Sequence, residues 1–250
     1  MLNRGSPFIL LPRILKPSYY NKTFLFIAKS PYWLISNGSV NFYLLIPKKT
    51  GLSTTDYLTN LTEPYDRYSK LKRGDVIFDV GASIGEQSII YAKKVGSEGL
   101  VIAIEPSPER ISYLKKNIVI NRLGNIKLFE GAVWSNVGII KLEPYGLGPK
   151  GFKIGGRGSE LVKVNAYTLD KIASHFGVEK IDFLKMDIEG GEVEALKGIS
   201  MPVKSIAIET HKVKERKTTY QVCRLLKKRN FRTQVKYKSS GLDMVYAWKP

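Results

Sequence analysis

Residues 76–88 read VIFDVGASIGEQS, a short apolar run that breaks at glycine into a polar, helix-like segment. VIFDV (76–80) is bounded by glycine and has the continuous apolarity of a strand covered on both faces. EQSIIYAKKVG (86–96) has the spacing of an amphipathic helix and closes on glycine. Between them lie Gly81, Ser83 and Gly85, with Asp79 just upstream. A buried strand feeding a helix through a glycine turn is the building unit of a parallel α/β sheet.

Moving outward along the chain, the unit repeats. LVIAIE (100–105) is a second buried strand, and PERISYLKKNIVINRLG (108–124) a helix with proline at its start and glycine at its end. IKLFEGAV (126–133) is a third strand. Residues 137–166 read as hairpin-like strands around a glycine-rich stretch, 146–158, that reads as a loop. TLDKIASHFG (168–177) is a helix with Thr168 as N-cap. IDFLKMDI (181–188) and SIAIET (205–210) are further strands, with a short helix near 192–197 between them. A basic helix at about 217–229 precedes two closing strands, 231–238 and 243–249. This alternation predicts a mostly parallel sheet with a reversed strand at one edge. Upstream, residues 1–70 carry one convincing strand, 39–47, and are expected to form an N-terminal cap on a main domain at 71–250.

Composition narrows the function. Cys223 is the single cysteine, so an internal disulfide or a cysteine-built zinc site is excluded. That usage suits a reducing cytoplasm, and a cytoplasmic protein, peripheral at a membrane surface at most, is expected. The apolar stretches near 8–15 and 23–35 are each interrupted by a basic residue and a proline, and no transmembrane segment or cleaved leader is read from them. The formal net charge is +18, and it is concentrated. Residues 1–55 hold seven basic residues and no acid, and residues 212–238 hold eleven against Glu215 alone. Such ends attract polyanions, either RNA or an anionic surface. A lysine-rich solvated surface is the plainer explanation.

In open parallel sheets ligands sit beyond the C-terminal ends of the strands. Those ends carry Asp79, Gly81, Ser83 and Gly85 after the first strand and Glu105 after the second. The small residues Gly131 and Ala132, with Val133, follow the third, and Asp187 with Glu189 the fourth. A carboxylate placed like Glu105 can accept both hydroxyls of a ribose. A dinucleotide site is the rival, but its fingerprint is G-x-G-x-x-G, whereas this turn reads G-A-S-I-G behind an aspartate. An acid there repels a pyrophosphate and suits an ammonium or a sulfonium. The expected cofactor is S-adenosylmethionine.

These runs, with TLDKI (168–172), DFLKMDIEGGEVEALKG (182–198) and AIETH (207–211), resemble the FkbM family of S-adenosylmethionine-dependent methyltransferases. The likeness covers about residues 61–211, includes Glu63–Pro64, and is most specific in K-x-D-x-E-G-x-E at 185–192. Ser83 stands where the family usually carries asparagine. The resemblance implies a Rossmann-like class I methyltransferase fold with a seven-stranded, mostly parallel sheet and a C-terminal antiparallel hairpin. It implies O-methylation, commonly of sugar, lipid or secondary-metabolite hydroxyls. It further implies that Asp79, Gly81, Ser83 and Gly85 bind the methionine part, Glu105 the ribose, and Ala132 with Val133 the adenine. Asp187 and Glu189 fall at the methyl-transfer end.

An alcohol is a poor nucleophile until its proton is taken, so a base or a metal must assist. Asp187, Glu189, Glu209 and His211 are the candidates, with Asp187, Glu209 and His211 favoured as catalytic: His211 as base, and Glu209 orienting it or binding cofactor. The bland alternative is a salt-bridge network in which Lys185 pairs with Asp187 and His211 merely closes a strand. A divalent metal held by Asp187, Glu189 or Glu209 and His211 is an alternative, but their spacing is not diagnostic and no metal is assigned. The expected partner is a hydroxyl-bearing glycan, lipid-linked or small-molecule acceptor. Two alternatives remain: an RNA methyltransferase using the basic ends, and a non-catalytic polyanion binder on the same fold.

Overall fold

The computed structural model describes three N-terminal strands within residues 24–47 by their backbone, and residues 65–145, 151–154, 161–213, 216–237 and 242–249 in full. The apolar stretch at 8–15, most basic residues of 1–55, Glu63–Pro64 and most of the 146–158 loop lie outside the described residues.

The N-terminal strands β1 (Phe24–Lys29), β2 (Tyr32–Asn37) and β3 (Phe42–Pro47) form an antiparallel meander. The sequence reading anticipated the third alone. FLFIAK and YWLISN open on runs of apolar residues with no alternation, which leaves no period-2 signal.

The central sheet uses β4 (Val76–Val80), β5 (Leu100–Glu105) and β6 (Ile126–Glu130). Helices α1 (Glu86–Val95) and α2 (Pro108–Ile120) connect them. The chain then leaves for a second sheet made of β7 (Ala132–Val133), β8 (Gly138–Tyr145), β9 (Gly151–Lys153) and β10 (Val162–Tyr167). It returns through α3 (Leu169–His175), β11 (Ile181–Met186), α4 (Glu192–Lys197) and β12 (Val203–Thr210). A small ribbon follows, β13 (Lys212–Val213) with β14 (Arg216–Lys217), then α5 (Thr219–Lys228), β15 (Arg232–Tyr237) and β16 (Asp243–Trp248).

The seven-stranded sheet has the order β15-β16-β12-β11-β4-β5-β6. Strands β4, β5, β6, β11 and β12 pair in parallel, whereas β16 runs antiparallel to both neighbours. The reversed strand is therefore next to the edge, not at it, which corrects the expected arrangement. Burial explains the swap. DMVYAW (243–248) is buried almost throughout and takes the inner place, while RTQVKY (232–237) leaves Arg232 and Tyr237 exposed and takes the edge. Charged residues on an edge strand discourage pairing with other chains.

Alternation splits the core in two. Ile77, Val101, Ala103, Phe183 and Ala207 face α1 and α2, meeting Ile89, Tyr91 and Leu114. Phe78, Ile102, Leu184, Ile206 and Val245 face the other way, meeting Leu169 and Ile172 of α3, Leu196 of α4 and Leu226 of α5. Both faces are covered, as a parallel sheet requires. Two further differences from the reading concern the side sheet. The expected strand 126–133 breaks at Gly131, where a Cβ would press to 3.1 Å from the Tyr167 ring, and β7 pairs with β10 instead. Residues 151–153, read as loop, form β9 against β8. No helix among the described residues is long and apolar enough to cross a membrane.

Candidate active site

The turn after β4 is held rigidly. Gly81 and Ala82 donate their amides to the Ile104 carbonyl at 2.9 and 3.0 Å. Asn117 of α2 donates to the Ile84 carbonyl at 2.8 Å from a fully buried position. Gly81 has φ +77, and a Cβ there would sit 1.9 Å from the Asp187 carbonyl oxygen, so only glycine fits this crossing of strands. Ser83 adopts φ 53, an uncommon conformation for a residue with a side chain, and thereby turns its amide toward Glu105.

Glu105 ends β5 at the floor of the cavity. One carboxylate oxygen accepts from the Ser83 amide at 2.9 Å and the other from the Ser107 amide at 2.9 Å. Burial raises its pKa, against the pull of the Arg110 guanidinium and the two amides. The carboxylate is thus fixed by backbone donors, leaving further lone pairs for a ligand's hydroxyls.

A cavity of about 460 Å³ opens beyond the strand ends. Gly81, Ser83, Glu105, Ala132, Val133, Asp187, Glu209 and His211 all line it. Gly131 and Glu189 line it too, so ten of the residues singled out in the sequence meet in one place. Asp79 and Gly85 are not on its wall. Asp79 is fully buried beneath the turn, accepts from Ser88 Oγ at 2.5 Å and faces Lys185 Nζ at 3.1 Å. Gly85 packs toward Leu114, whose Cδ1 a Cβ would meet at 2.4 Å. Lys185 also donates to the Gly81 carbonyl at 2.8 Å. Burial would lower its pKa, but Asp79 and Asp187 outweigh that and raise it. The bland Lys185–Asp187 pair is thereby replaced by Lys185–Asp79, which braces the turn from below.

The far end of the cavity is acidic. Tyr65 donates to Asp187 Oδ2 at 3.2 Å and to Glu209 Oε2 at 3.1 Å. Its phenol pKa is raised by burial and then by both carboxylates, so it keeps its proton. Tyr145 Oη donates to Glu189 Oε1 at 2.5 Å and is raised likewise, by burial and Glu189. His211 follows β12 and is 7% exposed. Its Nδ1 lies 2.7 Å from Glu192 Oε1, and its Nε2 lies 3.6 Å from Asp187 Oδ1 and 3.4 Å from Glu189 Oε2. Burial pulls its pKa down, but the Glu192 hydrogen bond and the charges of Asp187 and Glu189 push it up to about 9. The partner that orients His211 is Glu192, not Glu209, because Glu209 is engaged by Tyr65. Glu192 is fully buried and also accepts from the Gly190 amide and the Thr218 hydroxyl.

Tyr65, Glu86, Arg110, Tyr145 and Glu192 were missed from sequence. Glu192 had a signal, the closing acid of the K-x-D-x-E-G-x-E string. Tyr65 directly follows Glu63–Pro64, but the pair says nothing of where the ring goes. Tyr145 comes from the side sheet, whose approach no local pattern encodes. That sheet also brings an apolar wall of Trp134, Ile140, Leu142, Phe152 and Ile154.

A family model described as the methyltransferase FkbM domain matches residues 79–233. The hexuronic acid methyltransferase AglP of Haloferax volcanii is 30% identical over 133 residues, 53% of this chain and 53% of that protein. The methyltransferase sdnD of Sordaria araneosa is 26% identical over 178 residues, covering 57% of this chain and 68% of that one. The chain thus spans about half the length of AglP. Among solved structures, fibrillarin of Aeropyrum pernix with natively bound S-adenosyl-L-methionine aligns at a TM-score of 0.49 and 12% identity, over 90% of this chain and 99% of that chain.

Proposed function

The chain belongs to the FkbM methyltransferase family, and on that premise we propose that it methylates a hydroxyl oxygen on a glycan, a lipid-linked sugar or a small molecule. It is an S-adenosylmethionine-dependent enzyme. When bound, that cofactor supplies a methyl carbon made electrophilic by a positively charged sulfur. The observation that carries the reading is one cavity with two unlike ends: a glycine turn with an amide-pinned carboxylate at one, carboxylates and an imidazole at the other.

At the first end Glu105 receives the ribose hydroxyls, and Gly81 and Ser83 border the methionine part. Ala132 and Val133 are small and buried, which suits the flat face of adenine. Asp79 and Gly85 act at one remove, by shaping the turn rather than by contact. At the second end Asp187, Glu209 and His211 hold the acceptor hydroxyl, and its proton passes to this cluster as the oxygen attacks; with a pKa of about 9, His211 accepts it only from its minor neutral form at neutral pH. The excess of carboxylates there favours a cationic sulfonium over a neutral sulfide. Trp134 and its apolar neighbours offer a surface on which a sugar ring can stack. The relative AglP, named for hexuronic acid methylation, supports a sugar acceptor.

Incubation with labelled S-adenosylmethionine and pools of glycans, polyprenyl-linked sugars and bulk RNA tests the reading. Label in the glycan or lipid-linked fraction is expected; label in RNA alone would replace it. The RNA alternative draws on one observation: Lys212 and Arg216, both exposed, sit on the ribbon directly after His211. It requires steep loss of binding with salt, as phosphate contacts do.

A further inference from the structure

Asp187, Glu189 and His211 are arranged more specifically than proton abstraction needs. We infer that these three side chains form a binding site for one first-row divalent metal ion at the acceptor end of the cavity. One ligand atom from each lies within 4.8 Å of the other two. His211 Nε2 forms no hydrogen bond among the described residues, although the side chain is more than nine-tenths buried. Its nearest oxygens, at 3.4 and 3.6 Å, are farther than the about 2.7–2.9 Å of a charge-assisted hydrogen bond. They are close to the spacing of about 3.0–3.5 Å that separates two ligands of one ion held at about 2.1 Å.

The rear atom of every ligand is tied down. Glu192 takes Nδ1 of His211, Tyr145 takes Oε1 of Glu189, and Tyr65 takes Oδ2 of Asp187. The remaining atoms, Nε2, Oε2 and Oδ1, are the three that converge. Partners that fix a ligand's far side and leave its near side free are the hallmark of an outer shell around a metal. Charge points the same way. Lys185 forms its ion pair with Asp79, while three carboxylates, Asp187, Glu189 and Glu192, surround the His211 imidazole. Two carboxylate oxygens and one imidazole nitrogen suit Mn²⁺ among the common divalent ions, with open positions toward the cavity. Given the methyl-transfer reading, on which this role rests, the ion lowers the proton affinity of the acceptor hydroxyl.

The test is calorimetric titration of MnCl₂ into the chelator-stripped full chain, with electron paramagnetic resonance counting free Mn²⁺. One ion per chain is expected. Glu189→Gln should weaken it at least tenfold, and Tyr145→Phe by about 10–100-fold through loss of the outer shell. Each variant's affinity for S-adenosylmethionine, measured alongside, shows that the fold is intact. No saturable Mn²⁺ binding up to millimolar concentration would overturn the site, as would binding that neither substitution changes. Methyl transfer that persists in chelator without Mn²⁺ binding removes the ion and leaves the methyltransferase reading standing. Mn²⁺ binding without cofactor binding does the reverse.

Discussion

Glu105 is a carboxylate whose two oxygens are already fixed by backbone amides, so it offers a ribose a preorganised pair of acceptors. Glu105→Ala removes both acceptors and should weaken S-adenosylmethionine by about 10²–10⁴-fold, at about 1.5–3 kcal/mol for each of two bonds to a charged group. Unchanged affinity in calorimetry would take Glu105 out of that role. His211→Ala should slow turnover by about 10²–10⁴-fold while sparing cofactor affinity, and wild-type rates would make it structural. Glu86 gives a pH signature of its own. Burial on the cavity wall raises its pKa to about 7, against the opposing pull of its own backbone amide and Arg110. Its contribution to stability is full below the unfolded carboxylate range and is lost as pH rises through about 7. Glu86→Gln should therefore melt higher than wild type at pH 8, by up to about 3 kcal/mol and less where cavity water reaches the group, with the gap closing below about pH 4.5. Identical melting curves at both pH values would contradict it.

Among the elements, the β4–α1 turn depends on one atom-sized gap. Gly81→Ala brings a Cβ against the Asp187 carbonyl at a backbone angle that L-residues avoid. Cofactor binding should drop more than tenfold and the melting temperature should fall by about 2–4 °C for each kcal/mol of strain. A fully functional alanine variant would mean that the strands separate more freely than this crossing allows. This turn was also the most legible part of the chain, because its glycines, its strand and its helix are contiguous in sequence. Glu105, Asp187 and Glu209 were legible for a related reason: each ends a buried strand, and strand ends face ligand in a parallel sheet. Asp79 was misjudged because its charge was visible in sequence but its neutralising partner, Lys185, lies on another strand. The inner position of β16 was missed although its cause was present: 243–248 is apolar where 232–237 is charged. The tyrosine clamps of the acidic end were illegible, since Tyr65 and Tyr145 arrive from segments 122 and 44 residues distant from their carboxylates.

Over the whole molecule, charge and cofactor make separable demands. The cavity's acidic end and the basic segment at 212–238 carry opposite signs on one small body. A sulfonium cofactor that binds the native state alone should raise the melting temperature. At about 100 times its dissociation constant the gain is about 2.7 kcal/mol, or roughly 5–10 °C for a chain of this size. Salt should leave that shift nearly unchanged if the cavity is shielded, and should erode any RNA binding steeply.

The most direct measurement is calorimetric titration of the purified chain with S-adenosylmethionine, run in parallel on Glu105→Ala. Saturable binding at one site per chain, weakened at least tenfold by the substitution, is what the cavity predicts. Absence of binding at millimolar cofactor, or equal affinity in both proteins, would contradict the placement of the cofactor between the glycine turn and Glu105.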